Sequence, residues 1–163
     1  MKEIRLYDYQ AEMKERIEAA FRSYQSVMVQ MPTGTGKTIL LAEVVKSEER
    51  RAKEVKSEER RVKNPCVWIV VHRRELVEQI KASLNVECEM LNVNEVKPLD
   101  SSFLTLHSSL NTRVFSIQWL SRHYQEMEES PSLIVIDEAH HAVAKTYKEV
   151  MDAYPEAKKL GLT

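Results

Sequence analysis

Glycine is scarce in this chain: three in 163 residues, with two of them, Gly34 and Gly36, almost adjacent. Left-handed backbone is therefore confined to few places, and a collagen-like or glycine-rich disordered chain is excluded. Cysteine is scarcer still. Cys66 and Cys88 stand 22 positions apart with no Cys-x-x-Cys spacing, so they read as reduced thiols of a cytoplasmic protein rather than a disulfide framework or zinc site. No run of about 18 apolar residues is present, which excludes a membrane-spanning helix. The charged opening MKEIRLYDYQ lacks the apolar stretch of a secretory signal. An excess of one charge is missing too: the net charge is −1 and the pI about 6.5. Proteins that hold nucleic acid through bulk positive charge are usually more basic, so any such contact must be local or shared with another segment.

What is present is ordinary for a globular protein, with 43% hydrophobic and 30% charged residues. The length suits one domain, residues 1–163, with a sizeable core. An amphipathic helix is expected over about 9–22, with Ala11, Ile17, Ala20 and Phe21 on its buried side. A short strand at 26–30 leads into MPTGTGKT, and 38–63, free of Gly and Pro, reads as one long helix. CVWIVV at 66–71 and LIVI at 133–136 are continuous apolar runs, the pattern of strands buried on both faces. Helices are expected at 73–84, 118–125 and 144–153, strands at 113–117 and from 159, and a further strand near 88–91. Strands alternating with helices at this spacing give an α/β domain, a parallel β-sheet with helices on both faces.

VKSEERR occurs twice, at 45–51 and 55–61. Glu49 with Lys53 and Glu59 with Lys63 form favourable i,i+4 pairs, which favours a solvated helical extension, with a partner-binding helix as the alternative. Two copies fall short of a solenoid.

MPTGTGKT follows a strand and opens a helix, the context a phosphate-binding loop requires. Thr33, Gly34, Thr35, Gly36, Lys37 and Thr38 are the candidate cradle. Inward-pointing N–H groups and the helix N-terminus would receive phosphate. Lys37 would reach the β- and γ-phosphates of ATP, and the Thr38 hydroxyl would ligate Mg2+. The strict pattern requires glycine at position 31, where Met31 stands. About 100 residues on, LIVIDEAHH puts Asp137 and Glu138 at the carboxyl end of a buried strand, the edge where open α/β sheets bind ligands. Asp137 is placed to hold Mg2+ through its water shell, Glu138 to orient and deprotonate an attacking water, and His140 to link the γ-phosphate state to neighbouring segments. The adjacent histidines, His140 and His141, do not make a zinc site, since no further ligand stands at suitable spacing.

With these residues in place the chain resembles the superfamily 2 helicases and translocases over nearly its whole length. IRLYDYQ is similar to their Q motif, in which Gln10 would read the adenine edge; Tyr7 stands where relatives often carry arginine. MPTGTGKT resembles motif I, VVHRRELVEQ motif Ia, FSIQWL the following nucleic-acid-side motif, IDEAHH motif II, and LGLT the start of motif III, with Thr163 as a coupling position. The resemblance is strongest to the DNA-directed branch that includes the transcription-and-repair helicase and the motor subunits of type I and type III restriction enzymes. It implies a RecA-like fold, ATP and Mg2+ as cofactors, and DNA in preference to RNA. It also implies that His72, Arg73, Arg74, Gln79, Ser116 and Gln118 face the nucleic-acid backbone.

In that family a second RecA-like domain supplies arginines across the cleft, and translocation needs both domains. The expectation for this chain alone is weak Mg-ATP binding, slow hydrolysis and no unwinding. A small phosphate-loop kinase, a non-catalytic nucleotide- or partner-binding module, and an RNA-directed helicase domain are the competing readings. The kinase would need an arginine-rich lid and an acceptor pocket, and neither is visible after Glu138.

Overall fold

Alternation along the strands decides which helices cover which face. The computed structural model describes residues 6–32, 34–55, 66–72, 111–140 and 144–163. Its strands are β1 (Ser26–Val29), β2 (Cys66–Val71), β3 (Asn111–Ser116), β4 (Leu133–Asp137) and β5 (Lys158–Leu162). All five are parallel, in the spatial order β1-β5-β4-β2-β3. The helices are α1 (Asp8–Ala20), α2 (Lys37–Val55), α3 (Ile117–His123) and α4 (Lys145–Ala153), with a 3-10 turn, Tyr124–Glu126, after α3.

Val67, Ile69 and Val71 of β2 point to one face with Leu133, Val135, Leu160 and Leu162, and meet Ile17 of α1 and Leu40, Leu41, Val44 and Val45 of α2. The intervening Cys66, Trp68 and Val70, with Ile134 and Ile136, point to the other face. There they meet Ile117 and Leu120 of α3 and Tyr147 and Val150 of α4. Every residue of β2 is buried, so no polar alternation could have appeared in its sequence. Each large aliphatic side chain buried here contributes about 1.5–3 kcal/mol relative to exposure.

Several expectations shift by a few residues for identifiable reasons. The strand expected at 113–117 begins at Asn111 and ends at Ser116, because the Ser116 hydroxyl accepts the Trp119 N–H at 3.4 Å and starts α3. On α1 the fully buried residues are Ile17 and Gln10; Ala11, Ala20 and Phe21 are only partly covered. The helix expected over 38–63 is described as Lys37–Val55. The rest of that segment, the helix expected at 73–84 and the strand near 88–91 lie outside the described residues, as do the side-chain pairs Glu49–Lys53 and Glu59–Lys63. Described pairs on α2 are Lys46–Glu43 at 3.1 Å and Arg51–Glu48 at 3.0 Å, with Arg51 also 3.7 Å from Glu18 of α1. Such exposed pairs contribute little.

β5 lies between β1 and β4, and the middle strand of the five is β4. Gly161 of β5 lies opposite Ile136, and a Cβ there would come within 2.9 Å of the Ala139 Cβ. Absence of a side chain lets the segment after β4 settle onto β5. Gly161→Ala is therefore expected to lower the unfolding free energy by about 1–3 kcal/mol. Urea denaturation followed by circular dichroism measures this, and an unchanged midpoint would show that the contact is not tight.

Candidate nucleotide-binding site

Two glycines shape the loop between β1 and α2. Gly34 has φ 80° and Gly36 φ 79°, both in the left-handed region that side chains resist. Gly36 has a second constraint: a Cβ would come within 2.4 Å of the Gln10 Nε2 atom. Thr35 fastens the turn, its hydroxyl donating to the Pro32 carbonyl at 2.6 Å. Helix α2 then begins at Lys37, with the Ile39 and Leu40 N–H groups both donating to the Gly36 carbonyl. The first N–H groups of a helix have no intrahelical partner, as an anion cradle needs. Met31, the departure from the strict glycine pattern, is 5% exposed and belongs to the core beneath α1 and α2. It is a packing residue at the loop's base. Thr33 lies outside the described residues.

Gln10 is 1% exposed. Its Oε1 accepts the Tyr7 N–H at 3.0 Å, and its Nε2 donates to the Thr35 carbonyl at 3.0 Å. The reverse amide orientation would set donor against donor and acceptor against acceptor, so the assignment is fixed by the partners. Tyr9 reinforces the tie, its hydroxyl donating to the same Thr35 carbonyl at 3.0 Å. Exposed Tyr7 stacks on Tyr9 with ring centroids 5.8 Å apart. Helix α1 is thus bonded directly to the loop between β1 and α2.

Asp137 ends β4 and Glu138 follows it. The Glu138 N–H donates to Asp137 Oδ1 at 3.0 Å, and Glu138 takes φ 54°, a conformation costing a non-glycine residue about 1–2 kcal/mol. Burial raises the Asp137 carboxyl above its ordinary range. The Glu138 N–H opposes that shift, the Glu138 charge adds to it, and the Lys37 ammonium opposes it. Lys37, which opens α2 after β1, and Asp137, which ends β4, stand 100 residues apart in sequence yet both lie at the carboxyl ends of parallel strands.

His140 bridges. Its Nδ1 lies 3.3 Å from Glu138 Oε2 and 3.1 Å from the Thr163 hydroxyl. Thr163 in turn donates its N–H to the Val29 carbonyl and accepts the Met31 N–H through its own carbonyl, at 2.9 and 2.8 Å. One residue after β5 thus touches both the base of the phosphate loop and the acidic box.

The residues expected along nucleic acid are only partly covered. His72, Ser116 and Gln118 lie at the carboxyl ends of β2 and β3, and Gln118 Nε2 donates to the His72 carbonyl at 3.1 Å. They stand across the sheet from the phosphate loop, with β5 and β4 between. Arg73, Arg74 and Gln79 lie outside the described residues. Sequence reasoning overlooked Gly161 and Tyr147. A glycine inside an apolar strand signals close approach and could have found the first. Tyr147, buried on α4 and sensing the Asp137 charge, offered only helical periodicity.

A family model described as type III restriction enzyme, res subunit, matches residues 3–163. The chain belongs to the ResIII family. Among curated relatives, a 51.5 kDa protein of a Lactococcus phage is 28% identical over 136 residues, covering 83% of this chain and 23% of the phage protein. IRC3 of Saccharomyces cerevisiae, which carries the name of an ATP-dependent helicase, is 31% identical over 156 residues, covering 91% of this chain and 21% of the yeast protein. The ResIII chain thus spans less than a quarter of either relative. Among solved structures, the Type ISP restriction-modification enzyme LlaGI, in complex with a DNA substrate mimic, matches with TM-score 0.68 at 18% identity, covering 98% of this chain and 17% of that one. The Pyrococcus furiosus Hef helicase domain matches with TM-score 0.64 at 22% identity, covering 93% and 32%. These two likenesses are of fold. The ResIII chain shares with them a RecA-like α/β fold.

A raised Asp137 carboxyl means that the folded ResIII domain holds that proton more tightly than the unfolded chain does. Ionisation then costs stability. The cost is absent below the ordinary carboxylate range near pH 4, grows as pH rises through it, and is complete above the raised folded value. Asp137→Asn should therefore melt higher than the parent at pH 7.5, with the difference vanishing toward pH 3.5. Paired thermal melts across that range decide it. An asparagine variant that melts lower than the parent at pH 7.5 contradicts the assignment.

Proposed function

We propose that this domain hydrolyses ATP as one half of a DNA-directed helicase or translocase motor, with a second RecA-like domain in the parent protein completing the cleft. The observation that carries the reading is that Lys37 opens α2 after β1 and Asp137 ends β4, both at the carboxyl ends of parallel strands separated only by β5, with His140 Nδ1 within 3.3 Å of Glu138 and 3.1 Å of Thr163. DNA as the track is supported by membership of a restriction-motor family and by fold relatives captured with DNA or a DNA mimic.

In this reading the loop from Thr33 to Thr38 wraps the phosphates with its N–H groups, and Lys37 neutralises the β- and γ-phosphate charge. Glu138 holds the attacking water in line and takes its proton, while His140 keeps the Glu138 carboxylate turned toward the cleft. A magnesium ion would be held by the Thr38 hydroxyl and, through water, by Asp137. The donor set fits that ion, being hard oxygen and too small for an all-protein cage. Among the described residues no group of three or more His, Cys, Asp or Glu forms a metal site on its own. When bound, the ion neutralises charge on the β- and γ-phosphate oxygens.

Gln10 belongs to the site by holding Thr35, and we assign it to the adenine end because it anchors the exposed Tyr7–Tyr9 pair beside the loop. His72, Arg73, Arg74, Gln79, Ser116 and Gln118 are assigned to the DNA backbone. Hydroxyl and guanidinium donors of this kind position a strand without reading its bases.

Titration with a fluorescent ATP analogue tests the nucleotide site. Lys37→Ala should weaken binding at least about tenfold, the loss of one charge-assisted contact of about 1.5–3 kcal/mol. Glu138→Gln should bind within about twofold of the parent while residual hydrolysis falls by about 10²-fold or more. Equal binding by the parent and Lys37→Ala, with both folded, would remove the nucleotide reading.

A further inference from the structure

The Thr35 carbonyl accepts two side-chain donors from α1, the Tyr9 hydroxyl and the Gln10 Nε2, both at 3.0 Å. A main-chain carbonyl has two lone pairs, and both are engaged here. The loop gives a reason for so firm a tie. Thr35 stands between Gly34 at φ 80° and Gly36 at φ 79°, and peptide units flanked by glycine rotate with little steric resistance. A trans peptide sets its N–H opposite its carbonyl. Rotating the Thr35–Gly36 unit would therefore reverse the Gly36 N–H along with the Thr35 oxygen. With the oxygen held toward α1, the Gly36 N–H is held on the side away from it.

The two donors differ in what else explains them. Gln10 is buried and also takes the Tyr7 N–H on its Oε1, which closes the first turn of α1. Tyr9 is 47% exposed, and its ring lies parallel to that of Tyr7. Phenylalanine would make that stacked contact equally well, so the hydroxyl adds only the bond to the loop. The mount is firm. Ile17 of α1 lies in the core shared with α2, and Glu18 stands 3.7 Å from Arg51 of α2.

We propose that Tyr9 is a positioning residue for nucleotide binding, its hydroxyl holding the Thr35–Gly36 peptide in the orientation that presents the Gly36 N–H to the phosphate chain. The proposal rests on the nucleotide-site reading above and gives Tyr9 a task on the phosphate side, separate from the base. A loop that samples the reversed peptide binds in proportion to the fraction correctly turned.

The test compares the parent with Tyr9→Phe, which deletes one oxygen and keeps the stacked ring. Val150→Ala serves as a control that loosens the core on the other face of the sheet. A bound fluorescent ATP analogue is displaced by ATP and by inorganic tripolyphosphate, which has no base, and thermal melts are recorded for each protein. Tyr9→Phe should weaken both competitors by the same factor, about three- to tenfold, the equilibrium effect of one hydrogen bond. Val150→Ala should melt lower with both affinities unchanged. Tyr9→Phe equal to the parent for both competitors overturns the positioning role. So does a loss for ATP with tripolyphosphate unchanged, which would put the oxygen at the base, and so do equal losses in Val150→Ala. Failure of tripolyphosphate to displace the analogue from the parent overturns the loop as a preset phosphate cradle, and the role of Tyr9 with it. A parent that binds no nucleotide removes the site assignment itself.

Discussion

The site depends on one pairing: β5 running parallel between β1 and β4. Neighbouring strands lie about 4.8 Å apart, so inserting one strand separates the phosphate loop from the acidic box by roughly 10 Å. Without β5 the loop and the carboxylates would crowd each other; two inserted strands would put them out of mutual reach. The spacing is held by main-chain bonds from Thr163 to Val29 and Met31 on one side and by the β4 register on the other. Gly161 allows Ala139 to close over β5. The Thr163 hydroxyl then meets His140, so the strand that sets the distance also joins the two chemical segments.

What the core gains, the site partly gives up. Gly34 and Gly36 adopt backbone that carries an entropy cost, Glu138 is held at positive φ, and Asp137 is a carboxylate raised by burial. At Glu138 the penalty is about 1–2 kcal/mol. Strain of this size persists only where the surroundings over-determine the conformation, and here they do. Gln10 and Tyr9 both bond the Thr35 carbonyl, and β4 behind Asp137 is buried from Leu133 to Ile136. The rigid sheet supplies geometry that the loops could not keep by themselves.

Much of this was legible in the letters. CVWIVV and LIVI announce doubly buried strands because a parallel sheet covered on both faces leaves no polar side to alternate with. GTGKT between a strand and a helix announces an anion cradle through its glycines. Periodicity reports which way a side chain points and not what its tip meets. Gln10, polar and on the first helix, gives no sign that it is as buried as Ile17, with both ends of its amide engaged. Met31 looks like a flaw in a loop motif and is a core residue. Tyr147 is visible as apolar, while the isolation of its hydroxyl among the described residues depends on the packing of α4 with β2, β4 and α3. The absence of Gly and Pro across 38–63 permits a helix without fixing its bounds.

The sheet also divides the molecule by function. β1, β5 and β4 carry the residues assigned to nucleotide; β2 and β3 carry those assigned to DNA. Within the described residues the seam between the two sets is the β4–β2 pair, whose facing residues from Val67 to Val70 and Leu133 to Ile136 are all buried. A close-packed seam of this kind does not deform gradually, because displacing fully buried side chains opens cavities that cost several kcal/mol. A change at the phosphate loop would therefore reach His72, Ser116 and Gln118 as movement of the whole sheet. Local bending between the two sets is the costlier route. The chemistry of such a domain is suited to being felt at its outer faces, where a partner domain can respond, and poorly suited to reshaping its own nucleic-acid edge. Its near-neutral charge agrees with that division, since a grip that is shared across a cleft needs no strongly basic surface on either half.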